Sequence, residues 1–382
     1  MNILFVIDIF NSHKNGTSVS AQRFAQELRK RGHDVRILTV GENSDTIYGL
    51  DEFKFPFFVK MIHKHGFMYA KSWGKKAETT IQTAVEWADI VHFFFPFFVT
   101  SATRKVAEKM GKPMTAAFHV QPENITSSLL MGKNAWANNK MYQLFLNTTY
   151  QYFDHIHVPS QFMGDEIAKR NYKAKIHVIS NGIQSDFTWR KLPKEPQFEG
   201  KILIMMVGRL TKEKRQDLLI SAMEHSKYGD RIQLIFAGTG PTDKMLYHMG
   251  KKLKNPPIFG YFAKEDLMNK LAQSDLYVHC SDMESEAISC IEAFASGLVP
   301  VISNSTQSAT KQFALDERSL FEAGDPKDLA RKIDYWLDNP EEKAKMEHVY
   351  AESADHYRID HSIDLFEEML NEAIADHHKK KQ

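Results

Sequence analysis

The chain has 382 residues, 43% of them hydrophobic and 25% charged, a soluble globular composition that is too long for one ordinary core and suggests two or three domains, two being the simpler reading. No window offers about eighteen consecutive apolar residues, which excludes a membrane-spanning helix. Cys280 and Cys290 stand in no Cys-x-x-Cys or Cys/His spacing, so a cysteine-based metal centre is excluded and a reducing compartment fits.

In chain order, Met1 to Val6 runs straight into an apolar strand pattern with no charged leader or cleavage site, so no secretory signal and a cytoplasmic location are expected. The first unit reads as a strand Asn2–Asp8, a loop through Asn15-Gly16-Thr17, an amphipathic helix from about Ser18 to Arg31 ended by Gly32, and a strand Asp34–Thr39. Further strands are predicted at Ile90–Phe94, Met114–His119, His155–Val158 and Lys175–Ile179. Residues 185–200 carry Pro193, Pro196 and several charges without apolar period, and read as an interdomain linker. A second alternation follows, with strands at Ile202–Val207, Gln233–Ala237, Pro257–Phe259, Leu276–His279 and Val299–Ser303. From Asp325 the pattern is helical, broken at Pro340, and a polar tail after Asp376 is expected to fray. Strands alternating with helices throughout predict parallel sheets covered by helices. The domains expected are 1–184 and 201–356, with residues 357–382 a C-terminal helix packing back on the first.

Net charge is only +1, yet it is +6 through Thr188 and −5 beyond it. The first half either faces an anionic partner or presents a solvated basic surface. Within it, Lys54 to Lys76 holds six lysines and no acid, interleaved with Phe55, Phe57, Phe58, Phe67, Tyr69 and Trp73. Two readings stand: an anionic membrane surface, each nearby cation adding about 1 kcal/mol, or a helical hairpin that buries its aromatics. No recognised nucleic-acid-binding module accompanies the patch, so nucleic acid is not an expected partner.

The most specific motif is Glu284-Ser285-Glu286-Ala287-Ile288-Ser289-Cys290-Ile291-Glu292, read as strand, loop, helix. Glu284 falls in the loop after Leu276–His279, and a helix starting near Ala287 would turn its free N–H groups to the C-terminal edge of the sheet, where open α/β sheets bind ligands. Such a helix start favours a diphosphate without a metal, leaving Glu284 to reach a sugar and Glu292 a ribose. Two isolated glutamates would more often mark only a helix start and a solvated face, and it is their context that favours a site. No Asp-x-Asp occurs, so Arg209 and Lys214 are candidates for metal-free neutralisation of a leaving diphosphate, or else ordinary helix-start charges. Gly238-Thr239-Gly240 lacks the third glycine of a dinucleotide fingerprint and reads as a tight strand-to-helix turn.

These segments carry a resemblance. Glu284 to Glu292, with its continuation to Gly297-Leu298-Val299-Pro300, resembles the E-x7-E motif of glycosyltransferase family 4, retaining enzymes of the GT-B fold. Gly208-Arg209-Leu210 through Lys214 is similar to that family's G-R-L-x-x-E-K segment, Gly238-Thr239-Gly240-Pro241 to its G-x-G-P turn, and Phe259-Gly260-Tyr261 to the position that touches the base. The resemblance covers nearly the whole chain. It implies an α/β GT-B fold, two Rossmann-like doubly wound domains facing across a cleft, and a retaining, metal-independent hexosyltransferase without cofactor.

The resemblance also implies site roles. Glu284, His119, Arg209 and Lys214 would serve catalysis, and Gly16, Arg209, Lys214, Gly238, Gly260, Tyr261, Glu284, Ala287, Ile288 and Glu292 would hold a nucleotide-sugar donor. Asn15, Glu123 and Asn124 are candidates for the acceptor, with no metal. The loop Asn15-Gly16-Thr17-Ser18-Val19-Ser20 is similar to the N-G-V-x-T-S loop of bacterial enzymes that glucosylate diacylglycerol. A membrane lipid is therefore the expected acceptor and UDP-glucose or UDP-galactose the expected donor, with a soluble saccharide acceptor or a non-catalytic nucleotide-sugar-binding protein as alternatives. Glu286-Ala287 stands where the family usually has Phe-Gly.

Overall fold

The computed structural model describes residues 1–12, 15–54, 68–128, 132 and 134–381, without the side chains of Asn124, Ser127 and Ser128. The acceptor contact expected of Asn124, and residues 55–67 of the basic–aromatic stretch, lie outside the described residues. The chain divides into two compact units, one formed by Met1–Asn181 with Ile359–Gln382 and the other by Gly182–Arg358.

In the first unit the strands are β1 (Asn2–Val6), β2 (Asp34–Val40), β3 (Ile47–Leu50), β4 (Ile90–Phe93), β5 (Met114–Ala117), β6 (His155–Val158) and β7 (Lys175–Val178). They form one parallel sheet in the order β3-β2-β1-β4-β5-β6-β7. Ile3, Leu4, Phe5 and Val6 are all fully buried, because helices cover both faces of a parallel sheet and leave β1 no polar side. β3 went unpredicted; its four residues carry too little apolar period to stand out. Helix α1 (Gly16–Lys30) begins two residues before the expected Ser18, because Asn15 Oδ1 accepts the Ser18 N–H at 3.2 Å and caps it. Gly32 ends it in a left-handed conformation, φ +88°.

In the second unit β8 (Ile202–Val207), β9 (Ile232–Ala237), β10 (Ile258–Gly260), β11 (Leu276–His279), β12 (Pro300–Ser303) and β13 (Leu320–Phe321) pair in parallel as β10-β9-β8-β11-β12-β13. Each sheet therefore reverses its strand order beside its first strand, the doubly wound arrangement. Residues 185–200, expected as a linker, lie within this unit: Phe187 and Phe198 are buried and the Leu192 N–H bonds Ala272 O at 3.0 Å. Their apolar residues show no period because the segment is mostly irregular and seats them one at a time.

The C-terminal helix, Ile359–Lys381, joins the first unit and buries Ile363, Phe366, Met369 and Leu370 completely. Phe366 meets Phe5 and Phe24 edge-on, with centroids 6.0 and 5.1 Å away. The tail after Asp376, expected to fray, remains helical through Lys381. His377 Nε2 and Lys381 Nζ each reach Gly111 O at 2.8 Å, and Lys380 reaches Asp154 at 2.7 Å.

Candidate active site

The loops after β8, β9 and β10 gather at one edge of the second sheet. Gly208 N–H bonds Ala237 O at 2.9 Å, and Gly238 N–H bonds Gly260 O at 2.7 Å, stitching three strand ends together. A Cβ on Gly238 would lie 2.0 Å from Gly208 O, and one on Gly240 2.1 Å from Leu210 O. Both positions must be glycine for the loops to touch, so the Gly-x-Gly turn packs backbone on backbone and sets the Arg209 loop beside the β9 end.

At the end of β11 stands His279, fully buried, and five residues on Glu284 lies in a two-residue strand paired with Gln307–Ser308. The Lys214 ammonium and His279 Nε2 converge on the same Glu284 oxygen, the latter at 2.9 Å. The Tyr277 hydroxyl lies 3.2 Å from His279 Nδ1. With Nε2 carrying the proton towards the carboxylate, Nδ1 accepts from Tyr277, and the chain is satisfied end to end. Burial works to raise the Glu284 carboxyl, but the Lys214 ammonium and His279 outweigh it and hold the group well below the usual carboxylate range.

Neighbouring contacts fix that geometry. Asp282 N–H bonds Glu213 O at 2.8 Å, and Arg215, left-handed at φ +57°, reaches Asp217 at 3.2 Å and Asp282 at 3.4 Å. The loop that carries Lys214 is thus laced to the loop that carries Glu284. The Arg209 side chain, expected to act beside Lys214, is 54% exposed, with Glu213 at 3.7 Å. Helix α2 (Ile288–Ala295) follows Glu284, and its first N–H groups have no intrahelical acceptor. Ala287 precedes it in a left-handed conformation, φ +74°, which is the physical reason a glycine suits that position. Glu292 is nearly buried in α2, and Tyr261 is 74% exposed after β10.

The sequence candidates of the first unit are scattered more widely. Asn15 is a helix cap and Gly16 opens α1, with space for a Cβ around it. His119 follows β5, stacked on Phe94 (centroids 6.0 Å, planes 11°) and edge-on to His157 at 4.8 Å. Burial pushes it well below its ordinary pKa, so it is neutral, and its buried Nε2 meets no hydrogen-bond partner among the described residues. Glu123 is buried with the Tyr142 hydroxyl donating to it at 3.2 Å, and desolvation raises its carboxyl.

Three residues were not singled out from sequence. His279 holds Glu284 and Tyr277 holds His279, and the visible signal was a histidine ending a strand five residues before the acid. Asp8, just past β1, is fully buried; Ala70 N–H bonds its Oδ1 at 3.0 Å, while burial pushes its carboxyl up to about 7.

Two doubly wound parallel sheets, one ending in a cation–carboxylate cluster beside a helix start, have the architecture of the GT-B class. The description "Glycosyltransferase Family 4" matches residues 14–187 and "Glycosyl transferases group 1" matches residues 187–353. A GDP-mannose-dependent alpha-mannosyltransferase of Corynebacterium glutamicum is 23% identical over 79% of this chain and 72% of its own length. The phosphatidylinositol N-acetylglucosaminyltransferase GPI3 subunit of Saccharomyces cerevisiae is 24% identical over 78% of this chain and 67% of its own. Among solved structures, Anabaena Alr3699/HepE in complex with UDP and glucose aligns over 97% of this chain and all of its own with a TM-score of 0.73, at 16% identity. The chain belongs to glycosyltransferase family 4, the group 1 glycosyltransferases, and is a transferase that uses a nucleotide-sugar donor.

Proposed function

We propose that the protein transfers a hexose from UDP-glucose or UDP-galactose, with retention and without a metal, to a hydroxyl of a membrane lipid such as diacylglycerol. The observation that carries this reading is the buried Lys214–Glu284–His279 cluster beside the start of α2. A carboxylate held ionised by two donors is suited to gripping sugar hydroxyls rather than attacking carbon. Charge developing on the departing diphosphate would meet Arg209, Lys214 and the α2 amides, fixed dipoles and cations that do not reorganise during the reaction. Lys214 would then share its protons between Glu284 and a phosphate oxygen, and the leaving oxygen would take the acceptor's proton.

A uridine donor is supported by the UDP held in the HepE structure. The lipid acceptor is supported by the named phosphatidylinositol substrate of the yeast relative and by an exposed aromatic group in the first unit. There Trp73, 45% exposed, and Phe98, 51% exposed, flank Phe53 at 4.9 and 6.4 Å, with Lys71, Lys75 and Lys76 close in sequence. Among the described residues no helix is long and apolar enough to cross a membrane, so contact would be peripheral, at the inner face of the cell membrane. The test is a panel of UDP- and GDP-sugars with cell-lipid extracts, read by mass spectrometry. A glycolipid formed only with one UDP-hexose, in the presence of chelator, supports the reading; product only with GDP-mannose, or only with soluble saccharides, removes it.

A further inference from the structure

The first unit carries a second cluster of chemically competent side chains. β6 and β7 pair with His155 opposite Lys175 and His157 opposite His177, so His155 and His177 are diagonal neighbours on one face of the sheet. His155 Nδ1 and His177 Nε2 lie 3.0 Å apart. From the C-terminal helix, Glu372 completes a set in which one ligand atom from each residue lies within 4.8 Å of the others. One helical turn on, Asp376 Oδ2 is 3.5 Å from His155 Nε2.

We propose that His155, His177 and Glu372 bind a zinc-like divalent ion that fastens the C-terminal helix to β6 and β7, with Asp376 orienting His155. Two imidazole nitrogens bound to one tetrahedral zinc at about 2.0–2.1 Å sit roughly 3.3 Å apart, a few tenths of an ångström from the spacing found. Binding through Nδ1 leaves His155 Nε2–H facing Asp376, the carboxylate–histidine–metal arrangement that fixes a ligand's tautomer. Two imidazoles with one carboxylate select a borderline transition ion over Mg²⁺ or Ca²⁺, and water completes the fourth position. Lys175 now contacts Glu372, and Lys379 lies 3.1 Å from Asp376. Lys175 is 56% exposed, so its ammonium can leave as a cation arrives.

The experiment uses the untagged full-length protein, stripped with chelator and titrated with Co²⁺ and then Zn²⁺. One equivalent of Co²⁺ should give the visible absorption of a four-coordinate site and be displaced by Zn²⁺, and Zn²⁺ should raise Tm. His177→Asn and Glu372→Gln should each weaken binding by about tenfold or more, whereas Lys175→Met should bind at least as tightly as the parent. Glu372 lies at the surface, so Glu372→Gln decides the matter if His177→Asn fails to fold. Absence of Co²⁺ uptake, uptake undiminished in Glu372→Gln, as the tail pair His377–His378 would produce, or weaker binding by Lys175→Met would overturn the proposal. Sugar transfer is not the readout, so its outcome is independent of the donor site.

Discussion

Several buried ionisable groups are held in opposite ways in the two units. In the first, buried groups without a charged partner are pushed to their neutral forms: burial drives His92 and His119 well below the ordinary histidine range, takes His157 to about 4, and raises Asp8 to about 7. In the second, the buried charge of Glu284 is kept because it is paired with Lys214 and His279, and the half-buried Arg215 is paired with Asp217 and Asp282. Desolvation acts on both; what differs is whether an opposite charge stands within bonding distance.

The sharpest way to break this contrast is Lys214→Met, which leaves Glu284 buried without its cation. We expect kcat to fall by about 10²–10³ and stability by about 3–5 kcal/mol, measured by steady-state kinetics and urea unfolding. Adding Glu284→Gln should recover much of the stability but none of the activity, and full additivity of the two costs would contradict the pairing.

Asp8 probes the opposite regime. Because its carboxyl is raised from 3.8 to about 7 in the folded state, the folded protein binds more protons than the unfolded chain between those values. Stability should therefore fall as pH rises from about 4 to 7 and level off above, by up to about 4 kcal/mol at 1.36 kcal/mol per unit. Asp8→Asn should flatten that portion of the stability–pH curve; an unchanged slope would show that Asp8 is not the group responsible.

Arg209→Ala separates catalysis from folding. With its side chain half in solvent, the change should shift stability by less than about 0.5 kcal/mol while lowering transfer by about 10²-fold. Equal loss of both would place Arg209 in the fold rather than at the donor. Ala287→Gly should have the smallest effect, a gain of about 1 kcal/mol from relief of its left-handed backbone, read as a higher urea midpoint.

Much of this was legible beforehand where local chemistry speaks for itself. Strand β9 and the start of α2 announced themselves through apolar runs and the two acids eight residues apart. The partner of Glu284 is not legible as such: nothing along the chain links Lys214 to that carboxylate, and only the fold seats the one on the other. The same limit concealed residues 185–200 and the C-terminal tail. Phe187, Phe198 and His377 look like features of a polar, irregular sequence until the surfaces that receive them are known.

By itself, then, the order of residues determined the alternation of strands and helices, the glycine turns and the placing of Glu284, Lys214 and Arg209 past the ends of long strands, because each depends on neighbours within a few positions; the two-residue strand that holds Glu284 needs Gln307 and Ser308. Only the tertiary structure decided which charges became partners and which groups lost theirs. Lys214 and Glu284 are 70 residues apart, and His177 and Glu372 are brought together only when the C-terminal helix lies across β6 and β7. Desolvation and Coulomb attraction act through space, over ångströms that no count along the chain records.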